Sequence, residues 1–217
     1  MLRQIAFDLR TWWRNGEQLL LMLLIPIGAL IFGPTVSDKF EIGMQQLADA
    51  TIVVAFFATA FTGQAILTAF DRRSNTLIVI GAGPLGRRGF LIARIASVFA
   101  GCLLQVLVLT PIAALRGFDG GTTLLHAIIA LAGIPAFVSS GLLLAGLLRA
   151  ELVLGVANFM FVAGATFGGA FNDVKWSPLG AVRDLQTGHD SLLALVVIGV
   201  WTGVASITAA RTFRWVD

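Results

Sequence analysis

The sequence predicts an all-helical integral membrane protein with six spans. Three observations carry this. Apolar residues make up 57% of the chain, charged residues only 12%, and the mean hydropathy is +0.89. A soluble domain carries about 25% charged residues, enough to cover its surface with polar groups. Stretches of about 20 apolar residues, enough to cross a bilayer as helices, recur along the chain. The basic residues, finally, alternate between the two sides that such crossings define.

The first element is an amphipathic helix over residues 1–17. Ile5, Leu9, Trp12 and Trp13 gather on one side, with Arg3, Arg10 and Arg14 around them. Such a helix lies in the headgroup plane with its indoles at the interface. No A-x-A-like site follows it, so it does not read as a signal peptide. The spans follow at residues 18–36, 50–70, 90–115, 122–148, 152–171 and 191–210. Spans four and five are separated only by Arg149, Ala150 and Glu151, which forces a tight hairpin.

With the N-terminus inside, eleven of the 15 basic residues fall on the cytoplasmic side, leaving Lys39, Arg116, Lys175 and Arg183 outside. Both termini are therefore expected in the cytoplasm. Asp38, Glu41, Asp49, Asp119, Asp173, Asp184 and Asp190 lie on the other side. The surplus of basic residues sets topology. No Lys/Arg stripe is long enough to track phosphates, so no nucleic-acid partner is expected. The single Cys102 excludes an intrachain disulfide.

Residues 76–86 read TLIVIGAGPLG, which contains a literal G-x-G-x-x-G. A dinucleotide site needs a strand before that motif, a soluble helix after it and an acid about 20 residues on. Here the motif lies between two spans, and the next acid is Asp119. The context argues against a cofactor. The wider segment, residues 71–89, reads instead as a short helix. Ser74, Asn75 and Thr76 can cap it, Leu77, Ile78 and Ile80 form its apolar side, and Gly81, Gly83 and Pro84 break it. An apolar knob on a basic loop is either a docking site or a plain topological loop.

Asp71, Arg72, Thr76, Leu77, Pro84, Leu85 and Arg87, in this order after the second span, resemble the corresponding loop of the bacterial ABC-2 type permeases, the daunorubicin-resistance type in particular. The N-terminal FDLRTWWRNGEQLLLMLLIPIGALIFG, the WSPLGAVRDLQTG before the last span and the final AARTFRW are similar to further segments of that family. The resemblance implies an ABC-2 (type V exporter) fold over residues 1–217. Residues 71–89 would couple the permease to an ATPase. The entry helix with Arg10, Trp12, Trp13 and Arg14 would touch that ATPase too. Residues 172–190 would hold short helices re-entering the outer leaflet. Two copies of a separate ABC ATPase, carrying ATP and Mg, and a second permease chain, identical or paralogous, are the implied partners in a bacterial inner membrane.

No P-loop ATP site is expected in this chain. A P-loop needs Gly-Lys-Ser/Thr, but its two lysines follow Asp38 and Val174. His126 and His189 lack metal-ligand spacing, and no acid/base pair or nucleophile elbow marks an enzyme. Polar residues within spans are costly and often functional. Gln64, Thr68, Gln105, His126 and Asn158 qualify, and helix–helix hydrogen bonding is the plainer account of each. Phe56, Phe57 and Phe61 either line an apolar substrate path or face lipid, with Gln64 and Asn158 as polar members of such a path. An ion-coupled carrier and a non-transporting scaffold remain alternatives to an ATP-driven exporter of amphipathic, drug-like or lipid-like molecules. The carrier would want a buried acid or inverted repeats.

Overall fold

A leucine-rich π-helical turn, Leu20–Leu24, leads into α1, Ile25–Phe32. The computed structural model describes residues 20–37, 43–83 and 86–213. The expected entry helix, with Arg10, Trp12, Trp13 and Arg14, lies outside them. So do Pro84 and Leu85, and the side chain of Arg87. Most of the described residues are helical, with no strand among them. Among the described residues five helices are long and apolar enough to cross a membrane, which is the architecture of a helical membrane protein. The expected first span appears as the shorter apolar helix Met22–Phe32, its first predicted residues being outside the described ones. A four-residue turn of helix, α2, Pro34–Ser37, follows Gly33.

Span two runs from Gln45 to Arg73. It comprises α3, Met44–Phe57, a π-helical segment, Ala58–Gly63, and α4, Gln64–Arg73. At 1.5 Å per residue such a helix outreaches the ~30 Å hydrocarbon layer, so both its ends stand in the polar zones. The expected start at Ala50 is five residues late, because Gln45 and Asp49 are held by side-chain hydrogen bonds and extend the helix beyond its apolar run. After a short helix α5, Thr76–Ala82, comes α6, Gly86–Leu115, which contains span three. Span four is α7, Gly120–Ala130, a 3-10 turn, Leu131–Gly133, and α8, Ile134–Leu147. Pro135 has no N–H for the Leu131 carbonyl, which accounts for the tightened turn there.

Span five, α9, Ala150–Phe167, stops four residues short of the expected end. Gly169 takes φ +105, a conformation closed to other residues, and turns the chain away. The long connection then forms one helix, α10, Pro178–Thr187, capped by Ser177, whose Oγ accepts the Gly180 N–H at 2.8 Å. Span six is α11, Ser191–Thr212. Rather than lying on the surface, α10 is wedged between α3, α7 and α11, with Leu179, Val182 and Leu185 buried.

Spans two and four form the centre of the bundle, and α9 and α11 show most of their apolar surface to the outside. Small residues let the central helices approach. A Cβ on Gly141 would sit 2.7 Å from the Phe61 carbonyl oxygen. Gln105 is buried at the crossing of three elements. Its Nε2 donates to the Met22 carbonyl at 2.8 Å, the Thr59 hydroxyl at 2.9 Å and the Ala55 carbonyl at 3.3 Å. The Met22 carbonyl is available because Pro26, four residues on, has no N–H to give it. The plainer account, helix–helix bonding, therefore holds for Gln105. Gln105→Leu is expected to lower stability by about 1–2 kcal/mol, read as a drop in the unfolding midpoint in detergent. An unchanged midpoint would count against this linking role.

Gly180 makes a sharper case. A Cβ there would meet the Val174 carbonyl oxygen at 1.9 Å and its carbon at 2.8 Å. Both are backbone atoms, so the clash cannot be relieved by a rotamer. Gly180→Ala is expected to cost about 3 kcal/mol. Gly199→Ala, on α11 with open space around it, should be neutral or stabilising by up to about 1 kcal/mol. Equal midpoints for the two variants would show that α10 is not seated this tightly.

Candidate functional site

The end of the bundle rich in arginine gathers Asp71, Arg72, Thr76 and Leu77 of the expected coupling segment. An alanine seam brings three helices close there. Ala65 and Ala69 of α4 pack with Ala145 of α8 and with Ala150, Val153 and Ala157 of α9. That proximity puts three consecutive side chains of α4 within reach of three different spans. Asp71 Oδ2 accepts from Arg94 Nη2 of α6 at 2.5 Å. Arg94 is buried, and its guanidinium lies 5.2 Å over the Phe90 ring. Arg72, also buried, donates from Nη1 to the Ala145 carbonyl at 2.7 Å and from Nη2 to the Leu148 carbonyl at 2.5 Å. Those are among the carbonyls that a helix end leaves without donors, at the negative pole of its dipole. Arg73 pairs with Glu151 at 2.5 Å, in the open.

The short helix α5 hangs from this clamp. Asn75 stands at its N-cap in the left-handed conformation, φ 57, without a side-chain capping bond. Ser74 Oγ instead lies 2.8 Å from Thr76 Oγ1 and donates to the Asp71 carbonyl. Capping by the side chains of this cluster is therefore not what starts the helix. The helix runs through Gly81 to Ala82 and stops at the extended Gly83, so of the glycines expected to break it Gly83 does and Gly81 does not. Leu77 is fully buried against the spans. Ile78 is 42% exposed and Val79 73% exposed, so the apolar knob is made by these two and Ile80 is only partly exposed. The apolar outer side thus includes Val79, which the sequence pattern passed over.

The residues considered for a substrate path are not on one surface. Phe56, Phe57 and Phe61 are buried in the main core. Phe57 stacks on Phe61 at 4.8 Å and meets Phe137 at 5.2 Å and Phe161 at 6.1 Å. Gln64 is fully buried, with neither amide atom hydrogen-bonded among the described residues. Asn158 stands apart, exposed on α9.

At the opposite end a polar cavity of about 570 Å³ opens among α3, α7, α10 and the start of α11. It is bordered by acids that the sequence placed outside without assigning them any work. Asp49, near the start of span two, is buried. Its Oδ1 accepts from Gln45 Nε2 and from Gln186 Nε2, both at 3.2 Å. Arg183 is spent on Asp184 at 2.8 Å, Asp173 at 3.1 Å and the Asn172 carbonyl. Lys175 pairs with Asp190 at 2.5 Å. The hydrogen bond and then the charge of Asp190 raise the Lys175 pKa, and Lys175 in the same order lowers that of Asp190. The lowered carboxyl keeps its share of the pairing until pH falls through its own pKa, and the raised amine until pH rises through its own, so the pair persists across the neutral range. No cluster of three or more His, Cys, Asp or Glu placed to hold a metal ion occurs among the described residues. Compared with family models, curated proteins and solved structures, the chain matches none.

Proposed function

We propose that this chain is the membrane-spanning permease subunit of an ATP-driven exporter of the ABC-2 type, taking its energy from a separate ATPase. One observation carries the reading. Helix α5, Thr76–Ala82, shows two apolar side chains at the arginine end and is tied through Asp71, Arg72 and Arg73 to the spans on either side. A plain topological loop needs no such clamp. A lever that passes motion from a docked partner into the bundle does need one, since a loose joint would absorb the stroke.

In this reading the arginine end faces the cytoplasm of a bacterial inner membrane, in keeping with the positive-inside rule. Two ATPase copies, drawn together by ATP, would push on α5 in each of two permease chains. Asp71–Arg94 would pass the push to span three, and Arg72 to the end of span four. The substrate would be amphipathic, drug-like or lipid-like. The buried aromatic cluster around Phe57 gives no ready apolar path within one chain, so the path would lie between two chains, where Asn158 on the exposed face of α9 is placed to meet it.

The test is a purification from native membranes with a tag after Asp217. A P-loop ATPase with vanadate-sensitive activity should copurify. It should be lost when residues 76–85 are replaced by a Gly/Ser linker. Unaltered ATP-dependent transport in the linker variant would refute the coupling role, and an ion-coupled carrier or scaffold would then lead.

A further inference from the structure

We infer that the cavity at the aspartate end is a binding site for a primary ammonium group. The inference rests on that cavity alone and is independent of the permease reading. It begins with the carboxamide of Gln186, which is 1% exposed and lines the cavity. Its Nε2 donates to Asp49 Oδ1 and to the Thr123 carbonyl at 3.4 Å. Both partners are acceptors, so the amide orientation is set by the network. Its Oε1 is then left without a donor. A buried acceptor without a donor costs about 1–3 kcal/mol, so a ligand that supplies an N–H is favoured there.

Asp49 adds the charge. Both amides that reach it donate to Oδ1, and both are neutral. Among the described residues no Lys or Arg pairs with it, and His126, which also borders the cavity, bears on it through charge alone. Of the described Lys and Arg side chains that border the cavity, Arg183 is committed to Asp173 and Asp184, and Lys175 to Asp190. Among the described residues of the lining, five aspartates outnumber one lysine, one arginine and two histidines. A desolvated carboxylate beside an unpaired carbonyl oxygen calls for a cation that also donates hydrogen bonds. A primary ammonium has three N–H donors and a single charge.

The chemistry makes a selectivity claim. A trimethylammonium group carries the same charge but has no N–H, so it would leave Gln186 Oε1 unsatisfied. The cavity volume, about 570 Å³, falls in the range of small-molecule sites. An ammonium could arrive on a lipid headgroup or on a free amine, and the test separates the two.

The full chain is reconstituted in phosphatidylglycerol nanodiscs and dialysed to equilibrium against radiolabelled ethanolamine or choline. A parallel set contains phosphatidylethanolamine, and protein-bound lipid is counted by native mass spectrometry. Ethanolamine should bind saturably, and choline at least about tenfold more weakly. Asp49→Asn and Gln186→Leu should each weaken ethanolamine by about tenfold or more. Selective retention of phosphatidylethanolamine by the native chain, lost in Asp49→Asn, assigns the headgroup as the source. Ethanolamine binding without lipid selectivity assigns a free amine. Absence of saturable binding from either source, choline binding as well as ethanolamine, or Asp49→Asn binding like the native chain overturns the proposal. Should Asp49→Asn fail to fold, the ethanolamine–choline comparison on the native chain decides alone.

Discussion

Arg72→Met should lower the unfolding free energy by about 3 kcal/mol, while Arg73→Ala, one residue on, should change it by about 0.5 kcal/mol or less. The difference lies in what each guanidinium touches. Arg72 is buried and gives two charge-assisted hydrogen bonds to carbonyls at the end of α8. Such bonds contribute roughly 1.5–3 kcal/mol each, and in an apolar setting the bared carbonyls find no water. Methionine keeps most of the volume, so the loss reports the polar contacts rather than a cavity. Arg73 meets Glu151 where both are more than half exposed, and solvent already screens that pair. Thermal unfolding in one detergent, with both variants side by side, reads the contrast. Equal shifts would mean that Arg72 does not hold α4 to α8. On the proposed lever, the same variant should also weaken coupling, because Arg72 is the link by which a stroke from α5 would reach span four.

The spans were legible because lipid imposes a length and a polarity that composition reveals, and because proline and glycine mark where helices loosen. Pro135 and Gly169 both act where their chemistry says they should. What the sequence could not show is which polar group meets which. Arg72 and Arg73 are the same residue type, adjacent, yet one caps a helix and the other sits in solvent. Span two begins at Gln45 rather than Ala50 because Thr123 and Gln186, 78 and 137 residues distant from Gln45 and Asp49, complete its polar first turns. Helix α10 falls in the segment that the resemblance assigns to short helices re-entering the outer leaflet. Its alternation of apolar and polar residues suits either an interface or a wedge, and only the neighbours decide. Phe56, Phe57 and Phe61 were open for the same reason: three phenylalanines on one helix read alike whether they face lipid, substrate or Phe137.

On the proposed docking role of α5, changing Ile78 and Val79 together to aspartate should leave the fold intact and prevent the ATPase from copurifying. Both side chains are exposed on α5, 42% and 73%, so charges there meet solvent in the free chain and the unfolding midpoint should stay put. Leu77→Asp is the contrasting variant, since Leu77 is fully buried and a carboxylate there would dislodge the helix itself. In the proposed complex the two exposed residues would be the anchor of a small interface. Burying two unpaired carboxylates in an apolar groove costs at least about 2 kcal/mol each, which corresponds to a loss in affinity on the order of a thousandfold. The double variant should therefore purify without the ATPase and fail to stimulate ATP hydrolysis. A helix that merely rested in the headgroup layer predicts something else. It would lose membrane contact at one short turn, and the ATPase, bound elsewhere, would copurify as before. Retention of the ATPase by a stably folded double variant would thus move the docking surface off α5, and with it the physical basis for reading Asp71–Arg94 and Arg72 as parts of a lever.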